Sequence, residues 1–439
     1  MRLILPTLAL IFWSISGSAD HHAEASKISA NNLSDIVKVM ASDEFEGRAP
    51  GTVGEDKTVA YLIAQMKKIG LTPGGTEGSW TQAVPMMRSE VKPSAKMSFS
   101  SVDRVLTLAQ GTSVSVDTAT ARTSIVATDV PVVFVGFGAN APEQDWDDYG
   151  GIDLTGKLAI YLVNDPDFAA EPQEAVAGRF GNRRMTYYGR WTYKFEEAAR
   201  RGAFGALVIH ETEAAGYDWS VAAAGAGENV SLANKDPQAL PVTLQGWLHN
   251  DAARELLAAA GHDLDALRNT ARQPEFQAFE LEGMLFEADL EVDITTFDSQ
   301  NVLGLLPGNE RPEEVIMASA HWDAYGVGAP DEQGRTVRAG ANDDALGSAG
   351  ILELARVIKA QPAMARSVVF AFWTAEEAGL VGSMAYAADP IFPIEKTVAN
   401  FTVDILQTAG AAKDVILVGK GQSELEDSLA RVAEAAGRY

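Results

Sequence analysis

The sequence predicts an α/β fold in which a mostly parallel central sheet carries helices on both faces and a second, smaller α/β domain is inserted. From residue 315 onward, continuous apolar segments of strand length alternate with helical segments, which is typical of a parallel sheet buried on both faces. Residues 126–275 show a similar alternation of their own over a length typical of a domain. The strand-like pattern before residue 125 resumes after residue 275, so we expect one domain to be interrupted by the other.

The elements are predicted in chain order from their periodicity. Residues 24–90 are predicted to be mainly helical, because Val59, Leu62 and Met66 recur at helical spacing. Residues 92–118 alternate like strands. In the insertion, "VPVVFVGFGA" and "LTGKLAIYLVNDP" predict strands, and helices and strands follow in turn. In the last region, "VIMASA", "SVVFAFWT", "FTVDIL" and "DVILVG" predict strands. The segments "DDALGSAGILELARVIKA" and "SELEDSLARVAEAA" predict helices.

Composition and charge exclude several classes of partner and chemistry. The chain of 439 residues has a formal net charge of −25, and its pI is about 4.6, so nucleic acid and anionic membrane surfaces would repel it. It has no cysteine, which excludes disulfides, thiolate metal ligands and cysteine nucleophiles. Any bound metal must therefore be held by His, Asp and Glu.

The N-terminus is built like a secretory signal peptide over residues 1–19. Arg2 precedes an apolar stretch, and small residues lead to a predicted cleavage site after Ala19. The apolar stretch is shorter than the ~20 residues that a membrane-spanning helix needs, so a membrane anchor is the weaker alternative. We expect an exported protein, periplasmic or extracellular, with no membrane attachment after cleavage.

Polar side chains with metal-binding potential follow four predicted strands or turns of the last region. Since the carboxyl ends of parallel strands lie along one edge of a sheet, we expect these side chains to lie close together. Two adjacent glutamates at the end of an apolar strand repel one another, and a cation or a proton must compensate them. The residues are His321, Asp323, Asn342, Asp343, Asp344, Glu376, Glu377 and Asp404.

Each of these groups alone also has a structural explanation. His321 could be a core histidine satisfied by Asp323, and Asp343 and Asp344 could cap the helix that follows them. The paired glutamates could interact with a helix dipole, and Asp404 could face solvent. Their joint occurrence at the strand ends of one sheet favours a metal site.

The ordered motifs His-x-Asp, Gly-Ala-x-Asp-x-Ala-x-Gly, Glu-Glu-x-Gly-x-x-Gly-Ser and a later strand Asp carry a family resemblance. The chain resembles the zinc peptidases related to bacterial leucyl aminopeptidase, glutamate carboxypeptidase and transferrin receptor. The resemblance implies the zinc exopeptidase fold, with residues 24–125 and 276–439 as the peptidase domain. It also implies that residues 126–275 are an inserted protease-associated domain.

The resemblance further implies two zinc ions as cofactors. By this comparison His321 would bind one zinc, and Asp404 would complete that site. Asp343 would bridge the two ions, and Glu377 would bind the second. Imidazole and carboxylate suit zinc in a chain without thiolates, and two neighbouring ions need a bridging carboxylate.

Two catalytic roles follow from the same resemblance. Glu376 would be the general base that takes a proton from the attacking water and passes it to the leaving amine. Asp323 would orient His321 and fix its tautomer.

One ligand of the family pattern has no counterpart in the sequence. The family has a further histidine downstream of the strand Asp, whereas no histidine follows Asp404. His210, His249 and His262 fall in the insertion, where an ordinary surface or core position is expected. We therefore expect a sequence that is incomplete at its C-terminus, with the second zinc site incomplete and this chain inactive by itself. The alternative is a variant that binds one zinc or none.

The expected function is that of an exported zinc exopeptidase acting on peptides, with aminopeptidase activity favoured. A carboxypeptidase or dipeptidase of the same family is the nearest alternative. A non-catalytic receptor-like binding protein is a second, although such members have lost metal ligands. A glutaminyl cyclase is a third, and the paired Glu-Glu with a bridging Asp favours peptide hydrolysis over it.

Overall fold

The computed structural model describes residues 28–233, 241–331, 333–417 and 423–438. The predicted signal peptide, residues 1–19, lies outside the described residues. None of the helices in the described ranges combines the length and the apolar character that crossing a membrane requires.

Helices and strands alternate along most of the described chain. The helices are α1 Ala30–Met40, α2 Val53–Ile69, α3 Trp191–Arg200, α4 Thr212–Ala215, α5 Trp219–Ala224, α6 Asn250–Ala259, α7 Leu264–Ala271, α8 Leu346–Lys359, α9 Val381–Ala388 and α10 Leu425–Ala435. The strands are β1 Thr72–Pro73, β2 Thr81–Val91, β3 Lys96–Ser100, β4 Val105–Leu108, β5 Val114–Asp117, β6 Ser124–Gly136, β7 Asn140–Ala141, β8 Trp146–Asp147, β9 Leu158–Leu162, β10 Gly205–Ile209, β11 Glu228–Leu232, β12 Leu244–Leu248, β13 Phe279–Leu306, β14 Arg311–His321, β15 Gly326–Val327, β16 Val337–Arg338, β17 Arg366–Trp373 and β18 Thr397–Thr402.

The main sheet has two parallel parts joined by one long strand. Its order is β18-β14-β17-β13-β6-β9-β10-β12-β5. β14 pairs in parallel with β17 and β18, and β6, β9, β10 and β12 pair in parallel in the other part. β13, 28 residues long, runs antiparallel to both β17 and β6 and so connects the two parts.

Strand β17 of the first parallel part is buried on both faces, as its continuous apolar sequence predicts. Phe370 and Phe372 of β17 pack in one cluster with residues of α1, α2 and α8. Ala371 and Trp373, which alternate with them, pack on the opposite face with Tyr386 of α9.

The second parallel part is built in the same way. Leu158 and Ile160 of β9 share a cluster with α6 and α7, whereas Ala159 and Tyr161 share another with α3. The predicted α/β class, with helices on both faces of the central sheet, is thereby confirmed. The boundaries 24–125, 126–275 and 276–439, and the protease-associated domain, stay predictions.

The structure corrects two predicted elements. The helical prediction for residues 24–90 is wrong at its end, where β2 pairs antiparallel with β13 and β11. The strand predicted at "DVILVG" does not form over residues 414–417, and the rest of that segment lies outside the described residues. Both errors concern strand formation, which depends on distant partners that a local pattern does not reveal.

The packing of β17 predicts a large effect for one core substitution. Phe370 is fully buried, so Phe370→Ala should lower the free energy of unfolding by about 3 to 5 kcal/mol. Phe401 of β18 is 53% exposed, so Phe401→Ala should change the free energy of unfolding by less than about 1 kcal/mol. Urea unfolding followed by fluorescence measures both, and similar effects for the two variants would contradict the assigned core.

Candidate metal centre

The strand pairing brings the predicted ligand segments to one edge of the sheet. The last residue of β14, His321, lies beside Trp373, the last residue of β17. Ser319 of β14 lies beside Thr402, the last residue of β18. The segments that follow β17 and β18 therefore begin next to His321, and Asp404 follows β18 where a continuing strand was predicted.

A histidine and two carboxylates form the centre of this edge. The buried His321 has its Nε2 3.1 Å from Asp343 Oδ1 and 3.6 Å from Asp404 Oδ1. These three residues each offer a ligand atom, and the three atoms lie within 4.8 Å of one another. One imidazole and two carboxylates are a donor set suited to zinc.

Asp323 connects the end of β14 to the turn that carries the two glutamates. It is fully buried, and its Oδ1 lies 3.4 Å from His321 Nδ1. It also accepts hydrogen bonds from the main-chain N–H groups of Glu376, at 3.0 Å, and Glu377, at 3.3 Å. One carboxylate thus holds the Glu-Glu turn by hydrogen bonds and also lies close to the histidine ring.

The two adjacent aspartates have different surroundings. Asp344 is buried and accepts hydrogen bonds from the N–H of Gly347, at 2.8 Å, and of His321, at 3.2 Å. It caps the start of α8, which is the structural alternative that the sequence left open for the pair. Asp343 is partly exposed and directs its carboxylate to His321. Ser348 of α8 donates to the His321 carbonyl at 2.9 Å, which fixes that strand end to the helix.

The glutamates after β17 lie beside this cluster and are half-buried. Glu376 Oε2 is 3.8 Å from His321 Nε2. Glu377 Oε1 is buried and has no hydrogen-bond partner among the described residues, while the hydroxyl of Tyr325 bonds to the same carboxylate group. Glu377 is not one of the three residues whose ligand atoms converge within 4.8 Å.

The crowding of carboxylates perturbs the charge states of the site. Burial raises the pKa of Glu377 to about 7, and burial also raises the pKa of Glu376. Burial opposes the charge on His321, but hydrogen bonding to Asp323 and Asp404 outweighs it and raises the pKa of His321 to about 11. The bond from His321 lowers the pKa of Asp404. The carboxylates around His321 thus favour a positive charge on its ring.

The structure adds two residues that sequence reasoning missed. Arg48 is fully buried and donates hydrogen bonds to main-chain carbonyls next to the predicted ligands. Tyr325 is largely exposed and reaches Glu377 from the segment after β14. The spacing of Tyr325 two residues after Asp323 is a signal that could have indicated it, since alternate residues of an extended segment share a side. No local signal indicates the role of Arg48.

The other described histidines make contacts away from this cluster. His210 and His249 directly follow β10 and β12 and both contact the ring of Trp219. His262 lies against Phe279. None of these three described histidines is in the group of converging ligand atoms.

Part of the chain is similar to known peptidases. The model of peptidase family M28 matches residues 301–439, a range that contains His321, Asp343 and Asp404. Aminopeptidase NAALADL1 of Mus musculus is 32% identical over 180 residues, which cover 38% of this chain and 22% of that protein. Aminopeptidase YwaD of Bacillus subtilis (strain 168) is 31% identical over 127 residues, covering 28% of this chain and 25% of that protein. The chain thus spans a quarter or less of the length of these relatives.

The solved structures that match this chain include two bacterial proteins, both with TM-scores below 0.5. An aminopeptidase from Aneurinibacillus sp. strain AM-1 is 20% identical, covers 88% of this chain and 72% of its own, and has a TM-score of 0.42. A peptidase M28 precursor from Shewanella amazonensis SB2B is 18% identical, covers 96% and 80%, and has a TM-score of 0.43. The comparisons therefore show that residues 301–439 of this chain are similar to peptidase family M28.

Proposed function

We propose that the protein is an exported zinc-dependent exopeptidase that removes residues from the N-terminus of peptides. The observation that carries this proposal is the convergence of His321, Asp343 and Asp404 at the carboxyl edge of the sheet. The match of residues 301–439 to a peptidase family supports a hydrolytic role, and two similar proteins are named aminopeptidases. Export rests on the signal-like sequence of residues 1–19.

The donor set fits zinc. His321, Asp343 and Asp404 would hold the ion, and Glu377 supplies a further carboxylate that has a buried, unpartnered oxygen in the described structure. An unpartnered buried carboxylate oxygen is costly and is explained if a cation completes it. Bound zinc would supply Lewis acidity that polarises the peptide carbonyl and lowers the pKa of water. We also propose a second zinc ion, which Glu377 would bind and to which Asp343 would be a shared ligand.

Glu376 is the proposed general base. Its carboxylate lies on the His321 side of the site, and Asp323 holds its main-chain N–H. Because burial raises its pKa, the carboxylate is a stronger base than an exposed glutamate. It can therefore take a proton from water and donate it to the departing amine of the substrate.

The direction of exopeptidase action is tested with blocked peptides. The alternative of carboxypeptidase activity is supported by one relative, a glutamate carboxypeptidase 2 homolog of Caenorhabditis elegans, 28% identical over 131 residues. Peptides with a free N-terminus and an amidated C-terminus should be shortened, and N-acetylated peptides with a free C-terminus should not. The reverse result would assign carboxypeptidase action, and cleavage of neither would favour a non-catalytic binding protein.

The first prediction concerns the metal. The protein purified from the cells that produce it should contain zinc, and removal of zinc by a chelator should abolish peptide hydrolysis until zinc is restored. His321→Ala should lose bound zinc and nearly all activity, because it removes the only histidine of the converging cluster. His262→Ala, which affects a histidine packed on Phe279, is the matched control and should keep both. Activity that persists without zinc in the chelated protein would contradict the metal mechanism.

The second prediction separates the two glutamates. Glu376→Gln should lower kcat by about 10²- to 10⁴-fold, the usual contribution of a general base, while zinc content and KM change little. Glu377→Gln should instead weaken zinc binding, since a neutral amide replaces the carboxylate whose Oε1 has no other partner among the described residues. Zinc analysis and steady-state kinetics distinguish the two. Equal zinc loss in both variants would show that the roles are assigned wrongly.

The third prediction concerns the stability of the zinc-free protein against pH. Because the pKa of Glu377 is raised from 4.5 to about 7 in the folded state, the unfolded state releases this proton first as the pH rises. Glu377 therefore destabilises the zinc-free protein increasingly as the pH rises from about 4.5 to about 7. The Tm should fall more steeply over this range in the wild type than in Glu377→Gln. If the Tm of the wild type and of Glu377→Gln changed identically with pH, the raised pKa of Glu377 would be refuted.

A further inference from the structure

Arg48 is a fully buried cation with its hydrogen bonds directed at main-chain carbonyls around the candidate metal centre. Its Nε donates to the carbonyl of Trp322 at 2.8 Å, and its Nη2 donates to that of Gly340 at 2.8 Å. Its Nη1 donates to the carbonyls of Met40, at 2.8 Å, and Ala339, at 2.7 Å. A single side chain thus joins the end of α1 to two segments that carry predicted ligands. Arg48 lies outside the residues matched by the family model.

Each of those two segments bears one ligand within a few residues of its bond to Arg48. Trp322 directly follows His321, and the N–H of Ala324 donates to the main-chain carbonyl of Arg48 at 3.4 Å. The segment after β14 is therefore held on both sides of Asp323. On the other segment, the Gly340 carbonyl also accepts from Ala345 and so closes the turn that carries Asp343.

Local chain geometry places Arg48 in this position. Both residues of this turn have positive φ angles, 51° at Arg48 and 64° at the preceding Gly47. A Cβ on Gly47 would lie 2.4 Å from the Gly326 carbonyl oxygen and 2.6 Å from that of Arg338, so only glycine permits this close approach. The turn therefore packs against β15 and β16 and directs the guanidinium beneath the site.

We propose that Arg48 is a positioning residue of the metal centre: it fixes the segments of His321 and Asp343 relative to one another and thereby sets the affinity for metal. This inference rests on the proposed metal function. The described hydrogen bonds of Arg48 go to main-chain carbonyl oxygens. They do not involve the side chains of the proposed ligands, and none would contact the substrate.

An arginine suits this role better than a lysine or an apolar residue. The guanidinium presents its N–H donors in a rigid planar fork, so the positions of its acceptors are fixed relative to one another. A lysine ammonium keeps the charge, but it is a single flexible donor centre and cannot reproduce the planar spacing of several carbonyls. An apolar residue would leave several buried carbonyls without their donors.

The test compares the full chain with R48K, R48M and a matched control, K194M. Lys194 is also a fully buried cation that donates to main-chain carbonyls, those of Phe137, Asn164 and Tyr188, but it lies in the second parallel part. Zinc affinity is measured on folded protein by competition with a chromogenic chelator, well below each variant's Tm. Visible absorption of the cobalt(II)-substituted protein reports the geometry of the ligands.

Both Arg48 variants should bind zinc about 10- to 100-fold more weakly than the wild type, the usual effect of losing a group that orients metal ligands. Their cobalt spectra should shift. K194M should lower the Tm while its zinc affinity and cobalt spectrum stay unchanged, since general destabilisation does not alter the folded site. R48K should lie between R48M and the wild type if charge contributes in addition to geometry.

Wild-type zinc affinity and cobalt spectrum in a folded R48M or R48K would overturn the positioning role. Failure of both Arg48 variants to fold would also overturn it, because Arg48 would then serve the fold as a whole. A wild-type protein that binds neither zinc nor cobalt would refute the inference together with the metal site. Metal binding without hydrolysis of any peptide would refute the proposed peptidase activity and leave the Arg48 inference standing.

Discussion

The carboxyl edge of β14, β17 and β18 concentrates negative charge that the site can hold only with a compensating cation. The parallel pairing of these strands makes the crowding unavoidable, because each strand ends at the same edge and is followed by an acidic residue. The neighbouring carboxylates raise the pKa of His321 and burial raises the pKa of Glu377, and both shifts reduce the net negative charge of the site. The acidic residues at this edge are Asp323, Asp343, Asp344, Glu376, Glu377 and Asp404.

This constraint explains why six acidic residues close in space have separate surroundings. Asp323 and Asp344 are buried and are satisfied by main-chain N–H groups, so they connect segments. Asp343 and Asp404 are partly exposed and turn their oxygens toward His321. The buried pair builds the frame, and the exposed pair is available to a ligand that enters from solvent.

Much of the site could be predicted from sequence because its residues follow locally recognisable strands. The apolar runs before His321 and Glu376 are long enough to mark buried strands, and the parallel arrangement then brings their ends together. The same reasoning found the helix after Asp344, whose start the capping carboxylate marks. The sequence alone could not show which of the adjacent aspartates caps α8 and which faces His321. That depends on the backbone conformation of the turn that leads into α8.

What sequence missed depends on distant main chain. The acceptors of Arg48 at Trp322, Ala339 and Gly340 lie more than 270 residues away, at separations of 274, 291 and 292. Carbonyl acceptors have no residue type, so no motif can point to them. The strand β2 was missed for a related reason, since its partner β13 lies about 200 residues further along the chain, as the pairing of Thr81 with Val302 shows.

Arg48 and a bound metal would solve the same charge problem in different ways. Burial lowers the pKa of Arg48 to about 10, which still leaves it protonated at neutral pH, and nearby Asp323 and Asp344 favour its charge. Its N–H groups bond carbonyls, so it offsets the acidic edge from behind without occupying a carboxylate oxygen. An arginine paired directly with Asp343 would compensate charge equally well but would block a ligand. A permanent cation in the frame therefore leaves the outer carboxylates free for an exchangeable one.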